Sequence, residues 1–210
     1  MESLNFELER GSMCHVVHGE NCEYIASENN DMWMQISANG SSNVCIQVYP
    51  RNIEESYIGK DCQENEELRY ILSCRNEAEA EKCCEFFADF INTGYGDFKK
   101  HGKVWLCGLD LKDINEFFSS GDLIMVYRRL PLAIDQSKDL ISVFCKRCNA
   151  IAAQTVFICI YASPETTLDT FDSITKEIES KLTGDANVWV QFIQDNTIKN
   201  GNSIIHLIYS

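Results

Sequence analysis

Basic side chains are scarce in this sequence: 18 Lys and Arg stand against 32 Asp and Glu, which leaves 210 residues at a formal charge of −14. Phosphate backbones and anionic headgroups repel such a chain, so neither nucleic acid nor a membrane surface is an expected partner. Long hydrophobic runs are missing as well. No window approaches the roughly 18 consecutive apolar residues of a membrane helix. The opening, MESLNFELER, has neither the basic nor the apolar stretch of a signal peptide, and the expected location is cytoplasmic. There is no internal repeat or low-complexity tract, no Gly-x-Ser-x-Gly elbow and no cysteine-nucleophile signature. No P-loop and no Gly-x-Gly-x-x-Gly follows a strand to bring backbone N–H groups to a phosphate. Those absences point away from an enzyme.

What is present has ordinary globular composition, 45% hydrophobic and 24% charged, enough for one domain or two small ones. The 11 cysteines are odd in number and scattered through both halves, in a chain long enough not to need covalent staples, so they read as reduced thiols. Two groups of them are candidates for chemistry. Cys145-Lys146-Arg147-Cys148 is a CxxC whose basic residues could lower a thiol pKa, although it falls late in an expected helix, and packing, redox and metal roles all remain open. Cys14, His15, His18 and Cys22 offer four possible zinc ligands, but the spacing fits no common finger and the strand-like segment alternates its faces. No metal and no cofactor is expected. Asn39-Gly40-Ser41 fits a glycosylation sequon, yet without secretion it reads only as a turn.

The two halves differ in grammar. In the first, residues 32–38 and 44–49 are β-like runs on either side of Asn39-Gly40, a hairpin signal. Residues 54–67 form an acidic connection, and residues 68–73 are a strand candidate. Asn76 can cap a helix with Ala80, Cys83, Cys84, Phe87, Phe90 and Ile91 on its apolar side and Glu77, Glu79, Glu81 and Glu85 on an acidic one. Asn and Gly at positions 92–96 supply its stop. From residue 104 onward helices and strands alternate, which favours a sheet covered by helices. Strands are expected at 104–107, 123–128 and 155–161, the last of them (VFICIY) apolar enough for burial on both faces. Helices are expected at 111–118, 135–148 and 167–182, the last with Leu168, Phe171, Ile174, Ile178 and Leu182 as one stripe ending before Gly184. Two final strands, 187–194 and 203–209, are read as a closing hairpin across DNTIKNGN in a sheet of mixed polarity.

This order, with GLDLKDINEFFSSGDLIMVY, TVFICIYASPETTLDTFDSI, GDANVWVQFIQD and SIIHLIYS, resembles the C-terminal domain of the tubulin and FtsZ superfamily, closest to bacterial FtsZ, over residues 107–210. The implied fold class is α/β, α+β overall. It comprises a mixed four-stranded sheet with covering helices at 103–210 and a separate β-rich α+β domain at 1–100. The resemblance also implies a role for one loop. In that family a synergy loop, Asn-x-Asp-x-x-Asp, carries its acids into the nucleotide pocket of the next subunit. Its positions here are Gly108, Asp110 and Asp113. The acids match and the Asn does not, while Asp110 and Asp113 also suit a helix N-terminus without any nucleotide.

The family's Gly-rich phosphate loop is missing from residues 1–102, and Gly94-Tyr95-Gly96 ends a helix instead of opening one. Ala162-Ser163-Pro164 stands where the family has a Gly-Gly turn, and the sequence closes at Ser210, directly after the last expected strand, without the family's tail. The chain alone is expected neither to bind nor to hydrolyse GTP. The expected function is a non-enzymatic protein-binding module that self-associates or docks on a protein partner through Asp110 and Asp113. The alternative is an acidic inhibitor of the immunity type, capturing a basic toxin or enzyme through Glu77, Glu81 and Glu85.

Overall fold

The computed structural model describes residues 4–8, 12–17, 22–27, 32–38, 43–50, 68–95, 102–108, 113, 117 and 124–210. The chain divides into two compact units, Met1–Gly96 with Gly121–Ile124, and Asp97–Ser120 with Met125–Ser210. The acidic connection at 54–67 and the Asn39-Gly40 turn lie outside the described residues.

In the first unit six strands run in chain order as an antiparallel meander: β1 (Leu4–Leu8), β2 (Ser12–Val17), β3 (Cys22–Ser27), β4 (Met32–Ala38), β5 (Asn43–Pro50) and β6 (Leu68–Ser73). The pairing of β4 with β5 is the hairpin expected from the sequence, whereas β1 and β3 were not singled out by periodicity. Helix α1 (Glu77–Tyr95) packs on β3, β4 and β5. Val44 and Ile46 of β5 and Leu72 of β6 lie on one period-2 face and are themselves wholly buried. Ala80, Cys83, Cys84 and Phe87 of α1 are buried at helical spacing.

The start of α1 is fixed by side chains. The Glu79 backbone N–H donates to Asn76 Oδ1 at 2.9 Å, the cap expected at Asn76. The Glu79 carboxylate turns back to accept from the Arg75 backbone N–H and from Arg75 Nε at 2.9 Å. This reciprocal arrangement is close to a capping box and takes Glu79 off the solvent-facing acidic side: it is 7% exposed, whereas Glu77, Glu81 and Glu85 are exposed.

The second unit holds β7 (Lys103–Cys107), β8 (Ile124–Ala133), α2 (Ser137–Cys148), β9 (Thr155–Ala162), α3 (Leu168–Glu179), β10 (Asn187–Asp195) and β11 (Asn202–Tyr209). Its strand order is β8-β11-β9-β10-β7, so β7 adds a fifth strand at the edge of the four expected. All neighbours are antiparallel except β9 and β10, which are parallel and joined through α3. The closing hairpin is therefore corrected. β10 and β11 follow each other in sequence but lie on opposite sides of β9. The eight buried residues of β9 need a paired neighbour on each edge, and the α3 crossover can return only to a parallel position.

One face of this sheet carries α2 and α3. Ile158 and Ile160 of β9, Leu207 of β11, Ile141 and Phe144 of α2 and Phe171 of α3 form the core, with the Phe171 and Phe192 rings stacked at 4.7 Å. α2 is entered through a 3-10 turn (Ile134–Gln136) and stopped by Asn149 at φ 58°, a left-handed conformation that Asn tolerates. α3 stops at Glu179, short of the expected 182, where Ser180 Oγ donates to the Glu177 carbonyl. Leu168, expected in the buried stripe, is 56% exposed at the first turn. β8 runs past the expected end at Arg128 to Ala133, because its pairing with β11 continues through Pro131. No described helix is long and apolar enough to cross a membrane.

Replacing Asn76 by Ala leaves a free N–H at the start of α1 and is expected to destabilise this unit by about 1 kcal/mol. The shift of the urea midpoint reads that loss, and Asn76→Ser, which restores an acceptor, is expected to recover most of it.

Candidate interaction site

Strand β7 leads directly into the segment that carries the sequence-predicted acids. Paired with β10 through Ile193↔Trp105 and Gln194↔Val104, it sets the indole of Trp105 beside Gly108. A Cβ on Gly108 would lie 2.5 Å from Trp105 Cε3, closer than real contacts allow, so this position takes no side chain unless the indole moves. Asp113 is helical and half-buried, and Asp110 lies outside the described residues. One helical turn after Asp113, Phe117 is buried against the Phe157 ring of β9 at 5.6 Å between centroids. That contact places Phe117 on the sheet face opposite α2 and α3.

The same face carries a polar row that sequence reasoning missed. Register places Arg129, His206, Cys159 and Gln191 side by side across β8, β11, β9 and β10. Cys159 and Gln191 are fully buried and His206 nearly so. His206 Nδ1 and Tyr127 Oη share a 2.6 Å hydrogen bond, and the Tyr161 ring meets the imidazole edge-on. Lys103 Nζ sits 5.4 Å from the centre of the Tyr161 ring and 3.7 Å from Asp195. Burial first, and then the positive charges of Arg129 and Lys103, lowers the His206 pKa from 6.5 to about 3. His206 is therefore a neutral, packed imidazole rather than half of an acid–base pair.

The other candidates are separated by the structure. Glu77, Glu81 and Glu85 stand at four-residue intervals on α1, exposed in one line. Cys145 is buried, and burial, with a further push from Cys148, raises its thiol from 9.0 to about 11. Cys148 offers its backbone carbonyl to the Tyr209 hydroxyl. Cys145 therefore packs α2 and is not the low-pKa thiolate of a redox pair. Cys14 and His15 fall in β2 and Cys22 in β3, while His18 lies outside the described residues. Among the described residues no group of three His, Cys, Asp or Glu is disposed to hold a metal ion. Ser163, in place of the family's Gly-Gly turn, donates to Asn200 at 3.2 Å and bonds Thr166, tying the β9–α3 turn to the β10–β11 loop.

A mutant FtsZ from M. jannaschii superposes with a TM-score of 0.50 at 12% identity, over 64% of this chain and 39% of that one. The chain carries an FtsZ-like fold. An empty FtsZ dimer from M. jannaschii (TM-score 0.45, 15% identity) and the GDP-bound CetZ1 monomer from Haloferax volcanii (0.37, 12%) each match 63% of this chain. The chain spans about 39% of the length of these FtsZ and CetZ1 chains. No family model matches the sequence, and no curated protein does.

Two outcomes are expected from this FtsZ-like unit. Because the fold refuses a proton that an unfolded His206 accepts below pH 6.5, stability is full above 6.5 and declines as pH falls toward 3, by on the order of 4 kcal/mol in all. Urea midpoints from pH 7 to 4, compared between the parent and His206→Gln, isolate that slope from the carboxylates. In thiol titration at pH 8, Cys145→Ser is expected to leave the fast-reacting fraction of the native protein unchanged, while among the described cysteines exposed Cys107 reacts first.

Proposed function

We propose that this protein is a non-enzymatic protein-binding module in which an FtsZ-like α/β domain, residues 103–210, follows a separate β-rich domain, residues 1–100. It works by self-association or by docking on a tubulin-like partner, with Asp110 and Asp113 at the contact. The observation that carries the reading is Gly108. At the position where the resemblance calls for an Asn amide, the backbone is packed against Trp105, and a side chain there would have to displace the indole. Two acids without their amide, in a chain with no phosphate-gripping loop in its sequence, suit a protein contact better than a hydrolytic site.

The acidic-inhibitor reading has its own support in the exposed line of Glu77, Glu81 and Glu85. An association rate that falls steeply with salt, and that drops when these three are changed to Gln, favours capture of a basic protein.

The purified chain is expected to turn over GTP no faster than buffer. Sedimentation, alone and with a polymerising tubulin-like GTPase, is expected to show an association that Asp110→Ala and Asp113→Ala each weaken roughly tenfold, about 1.4 kcal/mol. GTP turnover that disappears in Asp110→Ala overturns the non-enzymatic reading.

A further inference from the structure

Helix α2 has a face that the second unit's core does not use. Ile141, Phe144 and Cys145 are buried, while Leu140 and Val143 are 41% and 44% exposed. Lys138, Lys146 and Arg147 are exposed on the same helix, and Asp139 is its only acid. Lys103, Lys176 and Lys181 are each paired with a carboxylate, but among the described residues none of the three α2 cations has an ion-pair partner. A helix with three cations and one acid, in a chain of charge −14, is a local reversal of sign.

The complementary surface is on α1. Glu77, Glu81 and Glu85 are exposed at four-residue intervals and are likewise without an ion-pair partner, with Ala78 and Lys82 exposed between them in sequence. Helix dipoles account for part of this, since acids suit the start of α1 and cations the last turn of α2. They do not account for Lys138, a cation in the first turn of α2, for Glu85, in the third turn of α1, or for two large apolar side chains left in water between cations.

We propose that the exposed face of α2 is a docking surface for α1 of a second copy of this chain. The spans agree. Lys138 to Lys146 and Glu77 to Glu85 are each eight residues, about 12 Å along a helix axis. In an antiparallel crossing Glu77 meets Lys146 and Arg147, Glu85 meets Lys138, and Leu140 and Val143 close on Ala78 and on the aliphatic stems of the acids. That sense also sets the positive end of one helix dipole beside the negative end of the other. Net charge keeps copies apart at long range, so they meet where the sign is reversed. Because the two surfaces differ, the contact is head-to-tail, and each copy keeps an α1 and an α2 for the next. The contact rests on the self-association arm of the proposed function and uses neither Asp110 nor Asp113.

Charge reversal tests it with full-length protein in sedimentation velocity. Lys138→Glu, which places an acid at a helix start, and Glu85→Lys are each expected to weaken self-association roughly tenfold. The double variant Lys138→Glu with Glu85→Lys, and an equimolar mixture of the two single variants, are expected to return to within about threefold of the parent, because every contact then joins opposite charges. A parent that stays monomeric, single variants that sediment as the parent does, or a double variant as weak as the singles overturns the proposal. Should Glu85→Lys fail to fold, Lys138→Glu with Glu81→Lys takes its place. Weakening by Asp110→Ala without any effect of the α1 and α2 variants sinks this contact and keeps the one at Asp110; the reverse result sinks the contact at Asp110 alone.

Discussion

The second unit is organised by one strand that has no exposed side. All eight residues of β9 are buried, and its backbone bonds β10 on one edge and β11 on the other. A strand with apolar side chains on both faces must be covered twice, and a strand with unpaired edges in an apolar interior would leave N–H and C=O groups without partners. The first demand draws α2 and α3 onto one face and Phe117 onto the other. The second places β10 parallel through the α3 crossover and sends β11 to the far side. Strand order, helix placement and the anchoring of the Asp113 segment all follow from VFICIY being too apolar to sit at an edge.

Elements whose physics is local were legible from the residues. β4 and β6 begin and end where alternation and turn residues put them, and Asn76 caps α1 because a short polar side chain there can reach the N–H three residues on. Pairing is not local. DNTIKNGN joins two good strands, and nothing within it says that a third strand lies between them. The strand expected to end at Arg128 runs on, because the ladder to β11 extends past Pro131 to Ala133. Leu168 fits the helical stripe of α3 by spacing, but its place in the first turn leaves it outside the packed face.

The candidate site was legible in part, and the missing part is instructive. The likeness to FtsZ came from the order of short segments and is matched by the fold, which does not by itself carry chemistry. Gly108 looked like a simple departure from Asn; only the register of β7 on β10 shows the indole occupying the space a side chain would need. The row of Arg129, His206, Cys159 and Gln191 was invisible for a related reason. Its members come from four strands, and a transverse row exists only after every register is fixed. Glu79 gives the converse case, an acid that spacing assigns to solvent but that Arg75 and the helix start draw inward.

Burial, rather than sequence motif, sorts the cysteines. Cys145 and Cys148 have the spacing of a redox pair, yet α2 packs the first into the core and its thiol becomes harder to ionise. Cys74 and Cys83 have no recognisable spacing at all, and both are buried where β6 turns into α1. A motif reports what a short stretch can do by itself, which is why it fails once the helix axis decides which side chains meet. Reactivity needs two further things, a partner within reach and a route for the reagent. α1 itself begins where Asn76, Arg75 and Glu79 fix it.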